Sequence, residues 1–151
     1  MQSSCFQQNQ NLVFSLDTNI IHQARTRIEM FNLNELESQK YISLETYRKN
    51  NKPVRTPVWF VVKNNLIYVV TRDQTGKVKR LRNNQDVKIA TCTISGKVTG
   101  QWITGIAKIL SEIETKEAVK WRDKKYGFMA KIAKFLSKSK GDLLAFSIKT
   151  D

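Results

Sequence analysis

Val54-Arg55-Thr56-Pro57-Val58-Trp59-Phe60-Val61-Val62 leads through Lys63 and the pair Asn64-Asn65 into Leu66-Ile67-Tyr68-Val69-Val70-Thr71. Both flanks are rich in β-branched and aromatic residues, the composition of strands. Asparagine tolerates positive φ, so Asn64-Asn65 reads as a two-residue hairpin turn. A β-hairpin at the centre of the chain sets the expectation for everything around it.

Upstream, Tyr41 to Tyr47 reads as a strand that ends in the turn cluster Arg48-Lys49-Asn50-Asn51-Lys52. Downstream, Val78 and Leu81 lie three apart among basic residues. That spacing predicts a short helix over 75–83 with Thr75 as its N-cap. Val87 to Ile94 is a strand, Ser95-Gly96-Lys97 a turn, and Trp102 to Leu110 the returning strand. Residues 112–138 carry the longest helical signal, with Glu114 and Glu117 near its start, lysines at its end and Gly127 dividing it. Val119, Tyr126, Met129, Ile132, Ala133 and Leu136 supply its apolar stripes. Gly141 closes it, and Leu143 to Ile148 is a last strand. About six strands joined by hairpins predict a mostly β fold with flanking helices and a closed or partly closed barrel.

The length of 151 residues fits one domain with a core of its own. Residues 1–29, rich in Gln, Ser and Asn at their start and aperiodic after it, read as an N-terminal extension, and residues 30–151 as the folded domain. No apolar run reaches the roughly 18 residues of a membrane span. The first residues lack a basic-then-apolar export pattern, and Cys5 and Cys92 fit no metal or redox spacing. A reduced, cytoplasmic setting is expected. The charge stands out: 26 Lys and Arg against 13 acidic residues give a net +13. Such a surplus draws anions, whether a polyanionic cofactor, an acidic membrane face or nucleic acid.

His22 is the one histidine, so Ser-His-Asp and Cys-His arrangements have little to draw on, and no cluster of metal ligands or phosphate-binding P-loop is visible. An enzyme built this way leaves its hard chemistry to a cofactor. One place can hold such a group. Thr71 ends a strand, and Thr75-Gly76-Lys77-Val78-Lys79-Arg80 opens a helix, whose free N–H groups and dipole favour an anion. Lys77 adds a full charge there, and Arg55 on the preceding strand can approach the same end. On spacing alone, a solvated basic helix face explains these residues equally well.

The ordered set Lys52-Pro53-Val54-Arg55-Thr56-Pro57-Val58-Trp59-Phe60, Ile67-Tyr68-Val69-Val70-Thr71 and Gly76-Lys77-Val78-Lys79-Arg80-Leu81-Arg82-Asn83-Asn84 resembles the pyridoxamine 5′-phosphate oxidase-like superfamily. It is most similar to the flavin/deazaflavin oxidoreductase branch, the F-420-dependent class. The resemblance runs from Glu35 to Ile148. It implies a six-stranded antiparallel split β-barrel of the FMN-binding type, a homodimer with cofactor sites at the interface, and F-420 or FMN as cofactor, F-420 being favoured. It also implies site residues. Arg55 and Lys77 would bind the cofactor phosphate, with Thr71, Lys79 and Arg80 beside them. Backbone groups of Thr56, Pro57 and Val58 would face the ring edge, and Gln101 and Trp102 would lie near the partner's site. Phe60 stands where pyridoxamine phosphate oxidases have a lysine, and no counterpart of their substrate-binding arginine and histidine follows Asp142, so vitamin B6 oxidation is not expected.

The expected activity is hydride transfer between that cofactor and a small organic substrate. The alternative from another class is a carrier or sensor that binds the cofactor without turnover. The run Lys131, Lys134, Lys138, Lys140 reads as a solvated face, as a rim for an anionic cofactor tail, or as a membrane-facing surface. Nucleic-acid binding is the remaining alternative, and no recognised nucleic-acid motif supports it.

Overall fold

The computed structural model describes residues 35–151 together with Ile20 and Leu33. The expected extension over 1–29 lies, Ile20 apart, outside the described residues, as does His22. Glu37–Asp151 form one compact unit.

The hairpin forms as its turn chemistry predicts. Asn64 and Asn65 both take positive φ, 50° and 59°. They join β3 (Val61–Lys63) to β4 (Leu66–Arg72), with Val61 opposite Tyr68. Before them, β1 (Ile42–Tyr47) turns through Asn51, at φ 60°, into β2 (Pro53–Val58), pairing Glu45 with Arg55. Further on come β5 (Asp86–Thr91), β6 (Ile103–Ile109) and β7 (Leu143–Thr150). All pairs are antiparallel, in the order β2-β1-β5-β6-β7-β4-β3. The chain is mostly β, a split barrel with helices against it, as expected.

The sheet has seven strands where six were expected. The single strand expected over 54–62 is interrupted at Trp59 and Phe60, because the chain changes partner there. Residues before the break pair with β1 and those after it with β4. β2 and β3 are the two ends of the ladder, yet they are consecutive in the chain, so this one stretch ties the ends of the curled sheet together.

The backbone at the break must find partners outside the ladder. Phe60 N–H donates to the Tyr126 hydroxyl at 3.1 Å. Phe60 C=O accepts from Lys125 Nζ at 3.1 Å and lies 2.9 Å from the Tyr126 hydroxyl oxygen, whose one proton it shares with the Lys40 carbonyl, 2.7 Å from the same oxygen. The Trp59 ring stacks on Tyr126 at 4.6 Å, and Lys125 sits over the Phe60 ring at 4.0 Å.

Within Glu37–Asp151 the strands are joined by α1 (Gly76–Asn83), α2 (Glu112–Tyr126) and α3 (Phe128–Leu136), with a short 3₁₀ turn at Lys138–Lys140. α1 buries Val78 and Leu81, the pair its spacing singled out. α2 begins with a full capping box, Ser111 and Glu114 bonding each other's backbone N–H. It buries Thr115, Ala118 and Arg122, an i, i+3, i+7 stripe, and packs on β3, β4 and β7. Trp121 meets Tyr68 edge-on at 5.0 Å. Gly127, at φ 56°, divides α2 from α3 as its position predicts. Gly141, at φ 91°, ends the helical stretch where Asp73 Oδ1 fills the space of a Cβ, so only glycine fits. The core proper is Ile42, Leu44, Ile67, Val69, Ile89 and Phe146, all fully buried. No helix among the described residues is long and apolar enough to cross a membrane.

Candidate functional site

Lys77 stands in the first turn of α1 and is half-buried. Among the described residues its ammonium reaches one hydrogen-bond partner, Thr71 Oγ1 at 3.5 Å, and no carboxylate. Burial pushes its pKa down, and the Arg80 and Lys140 charges push it further. A cation placed so, against its own helix dipole, calls for an anion that the described residues do not supply. The helix start agrees. Thr75 occupies the N-cap position but caps no N–H, its hydroxyl donating instead to the Arg72 carbonyl at 2.8 Å. The first turn of α1 carries no acidic residue. The opening N–H groups of α1 therefore stay available.

Lys77 faces a pocket of about 230 Å³. Thr71 and Thr75 line it from the barrel side, Arg122 from α2, and Lys134 and Lys140 from the segment after Gly127. Counting Arg72, five cations and no carboxylate line it among the described residues. Arg122, almost fully buried, spends Nε and Nη2 on Asp123 at 2.9 and 2.7 Å. Arg72 is a structural member: its guanidinium donates to Ser137 Oγ at 3.1 Å, Gly141 O at 3.0 Å and Lys134 O at 2.8 Å. A larger depression of about 780 Å³ runs beside α2, but its walls carry the ion pairs Lys116–Glu112 and Lys120–Glu117, both 2.8 Å, and are electrically balanced. Charge, not volume, sets the smaller pocket apart: its described charged residues are all positive, a field that attracts anions.

Arg55 is placed elsewhere. Its Nε donates to Glu45 Oε2 at 2.7 Å, and its guanidinium lies 4.7 Å above the Trp102 ring. It does not line the Lys77 pocket, so the two residues expected to grip one phosphate together are not joined within a single chain. Its terminal nitrogens make no hydrogen bond among the described residues and are exposed. Thr56, Pro57 and Val58 follow Arg55 along β2, at the end of the ladder, where outward backbone groups have no strand partner. Trp59, next in the chain, lines the cationic pocket. The chain from Arg55 through β2 to Trp59 thus joins the Arg55–Trp102 cluster to that pocket. Gln101 is exposed beside Trp102. Lys79 is exposed on the outer side of α1, and Arg80 turns away to donate to Thr46 Oγ1 at 2.7 Å.

The sequence reading does not place Arg122 or Trp59 in this pocket; Lys134 and Lys140 it has in the basic run read as a solvated face, a rim for an anionic cofactor tail or a membrane-facing surface. For Arg122 a signal was present: it falls on the 115–118–122 stripe, where a core-facing helix otherwise carries apolar residues.

Glu45 is buried, which raises its pKa, but the Arg55 and Tyr47 hydrogen bonds and the nearby positive charge outweigh burial and hold it below the usual carboxylate value. Tyr47, bonded to Glu45 at 2.8 Å, is pushed up to about 12 by burial and then by that carboxylate. Tyr126 is pushed up to about 12 by burial. Both neutral phenols are favoured in the folded state. Their contribution to stability is whole below the ordinary tyrosine value of about 10 and is lost as pH rises through about 12. Thermal unfolding followed against pH is expected to hold steady up to about pH 10 and to drop between there and 12. The Tyr126→Phe variant should lose part of that alkaline drop.

The sequence family described as pyridoxamine 5′-phosphate oxidase matches residues 32–151. Solved structures share the fold at low identity. HutZ, the heme storage protein of Vibrio cholerae, is 16% identical, covering 82% of this chain and 88% of its own, with a TM-score of 0.59. An F420 reductase is 17% identical over 77% and 90%, with a TM-score of 0.57. A FAD-binding protein of Mesorhizobium loti is 15% identical over 83% and 87%, with a TM-score of 0.58. The chain matches no functionally curated protein.

Proposed function

This chain belongs to the pyridoxamine 5′-phosphate oxidase family, and on that premise we propose that it is an oxidoreductase that binds F-420 or FMN as a homodimer. The observation that carries the reading is Lys77: half-buried, unpaired with any carboxylate among the described residues, and facing a pocket whose charged described residues are all cations. A phosphate fits that demand. Lys77, the Thr71 and Thr75 hydroxyls and the uncapped start of α1 would hold it, with Arg122 and Lys140 adding charge. The edge strand from Arg55 to Val58 would lie along the ring.

When bound, such a cofactor supplies hydride chemistry, and the protein's part is to position it. Trp59, stacked on Tyr126, would form one wall of the bound cofactor's site. Arg55, steadied by Glu45 and Trp102, presents its free terminal nitrogens as donors. A homodimer gives Arg55 and Lys77, separate within one chain, a way to serve one site from two. The organic substrate would be recognised by groups around the ring, and the cytoplasm is the expected setting.

The second reading, a carrier or sensor without turnover, draws support from the pocket lining, which offers no histidine or carboxylate as acid or base among the described residues. Absorbance titrations with FMN and with F-420, alongside light scattering, test the proposal. Micromolar binding of one cofactor by a dimer is expected. Binding of neither, or a monomer that binds fully, would overturn it. Reduced cofactor that reoxidises no faster when bound than when free, whatever the electron acceptor, would favour the carrier.

A further inference from the structure

α3 is built inside out. Its small residues face the protein: Ala130 is fully buried, and Ala133 lines the cationic pocket. Its large apolar residues face outward, with Phe128 74%, Phe135 72% and Leu136 74% exposed, and Met129 and Ile132 about half-exposed. A helix on a globular protein normally does the reverse, and a contiguous exposed apolar patch of this kind marks an interaction surface. The five positions recur at helical spacing and form one stripe.

The charge beside the stripe selects its partner. Residues 128–141 include Lys131, Lys134, Lys138 and Lys140 and no acidic residue. Two copies of this chain meeting through α3 would set these lysines against each other, on molecules that each carry +13. The stripe is also a ridge without a socket. None of its five side chains lines either pocket, whereas a protein partner gains most of its affinity by seating side chains in pockets. A fluid apolar layer needs no socket, and phosphate headgroups at its rim match the lysines.

We propose that α3 docks this protein on an anionic lipid surface. The helix lies in the plane of the interface, with Phe128, Ile132, Phe135 and Leu136 among the acyl chains and Lys131 and Lys138 at the headgroups. The proposal is independent of the cofactor reading.

Co-sedimentation of the full chain with vesicles tests it, using phosphatidylcholine alone and with roughly a quarter phosphatidylglycerol. Binding to the anionic vesicles, and not to the neutral ones, is expected. The double variant Phe128→Ser with Phe135→Ser should lower partitioning at least about tenfold. Lys131→Glu with Lys138→Glu should do the same and remove its salt dependence; Lys134, which lines the pocket, is left intact. All four sites are exposed, so the thermal midpoints should stay near that of the parent. Failure of the parent to bind anionic vesicles would overturn the proposal. So would binding that survives loss of both phenylalanines, since bulk charge alone would then explain it. A phenylalanine variant that binds vesicles like the parent but halves its mass in light scattering would assign the stripe to a second copy instead.

Discussion

Lys77→Ala is expected to weaken cofactor binding by one to two orders of magnitude while leaving the empty protein no less stable. The two halves of this result have one cause. Without ligand, the Lys77 ammonium is partly desolvated, touches a single hydroxyl at 3.5 Å, and is repelled by Arg80 and Lys140. Its lowered pKa records that the folded chain disfavours the charged form, so truncation removes a cost. With a phosphate in the pocket, the same charge makes a charge-assisted hydrogen bond, worth about 1.5–3 kcal/mol. The measurement is a pair of absorbance titrations, parent and variant, with thermal unfolding of both in the absence of cofactor. Unchanged affinity would remove Lys77 from the site. Weakened affinity with a large fall in stability would make it a structural residue instead.

Arg72→Met is expected to produce the largest loss of stability, about 3–5 kcal/mol. Arg72 is buried at the end of β4, and all its hydrogen-bond acceptors are neutral: a serine hydroxyl and two carbonyls from the segment 134–141. Methionine fills similar space but leaves these acceptors unpaired, at about 1–3 kcal/mol each where water does not reach them. Ser137 keeps its bond to the Ala133 carbonyl at 2.8 Å, which softens the effect. For a chain of this size the midpoint of thermal unfolding should fall by roughly 10–20 °C. Since Lys134 and Lys140 lie in the segment that Arg72 fastens, cofactor affinity should fall with it. A midpoint within a few degrees of the parent would mean the carbonyls are satisfied by other means.

Features of the fold that depend on neighbours in sequence were legible. Asn64-Asn65, the Val78–Leu81 spacing and Gly127 each act over a few residues, and each produced the element expected of it. The break at Trp59-Phe60 was not legible. The run of β-branched and aromatic residues continues through it, and only the distant identity of the pairing strand, β1 or β4, ends one strand and starts another. The cationic pocket divides the same way. Thr71 and Lys77 were found because six residues separate them. Arg122, Lys134 and Lys140 come to the pocket from helices whose docking depends on the whole barrel. The placement of Arg55 was within reach: a turn over 48–52 sets residue 45 opposite residue 55 and so pairs a carboxylate with the guanidinium. On α3, periodicity marked Met129, Ile132, Ala133 and Leu136 as apolar but could not say which way each faces: Ala133 turns to the pocket and the other three outward.

The stretch from β2 to β3 gives the chain two kinds of peptide bond. A cut in the turn at 48–52 or at 93–97 severs a connection between strands that remain neighbours in the ladder. A cut between Trp59 and Phe60 severs the only direct covalent link between the ladder's two ends. Circular permutants with new termini in either turn should therefore fold, while one opened at Trp59-Phe60 should not. For this barrel, closure is a property of connectivity as much as of hydrogen bonding.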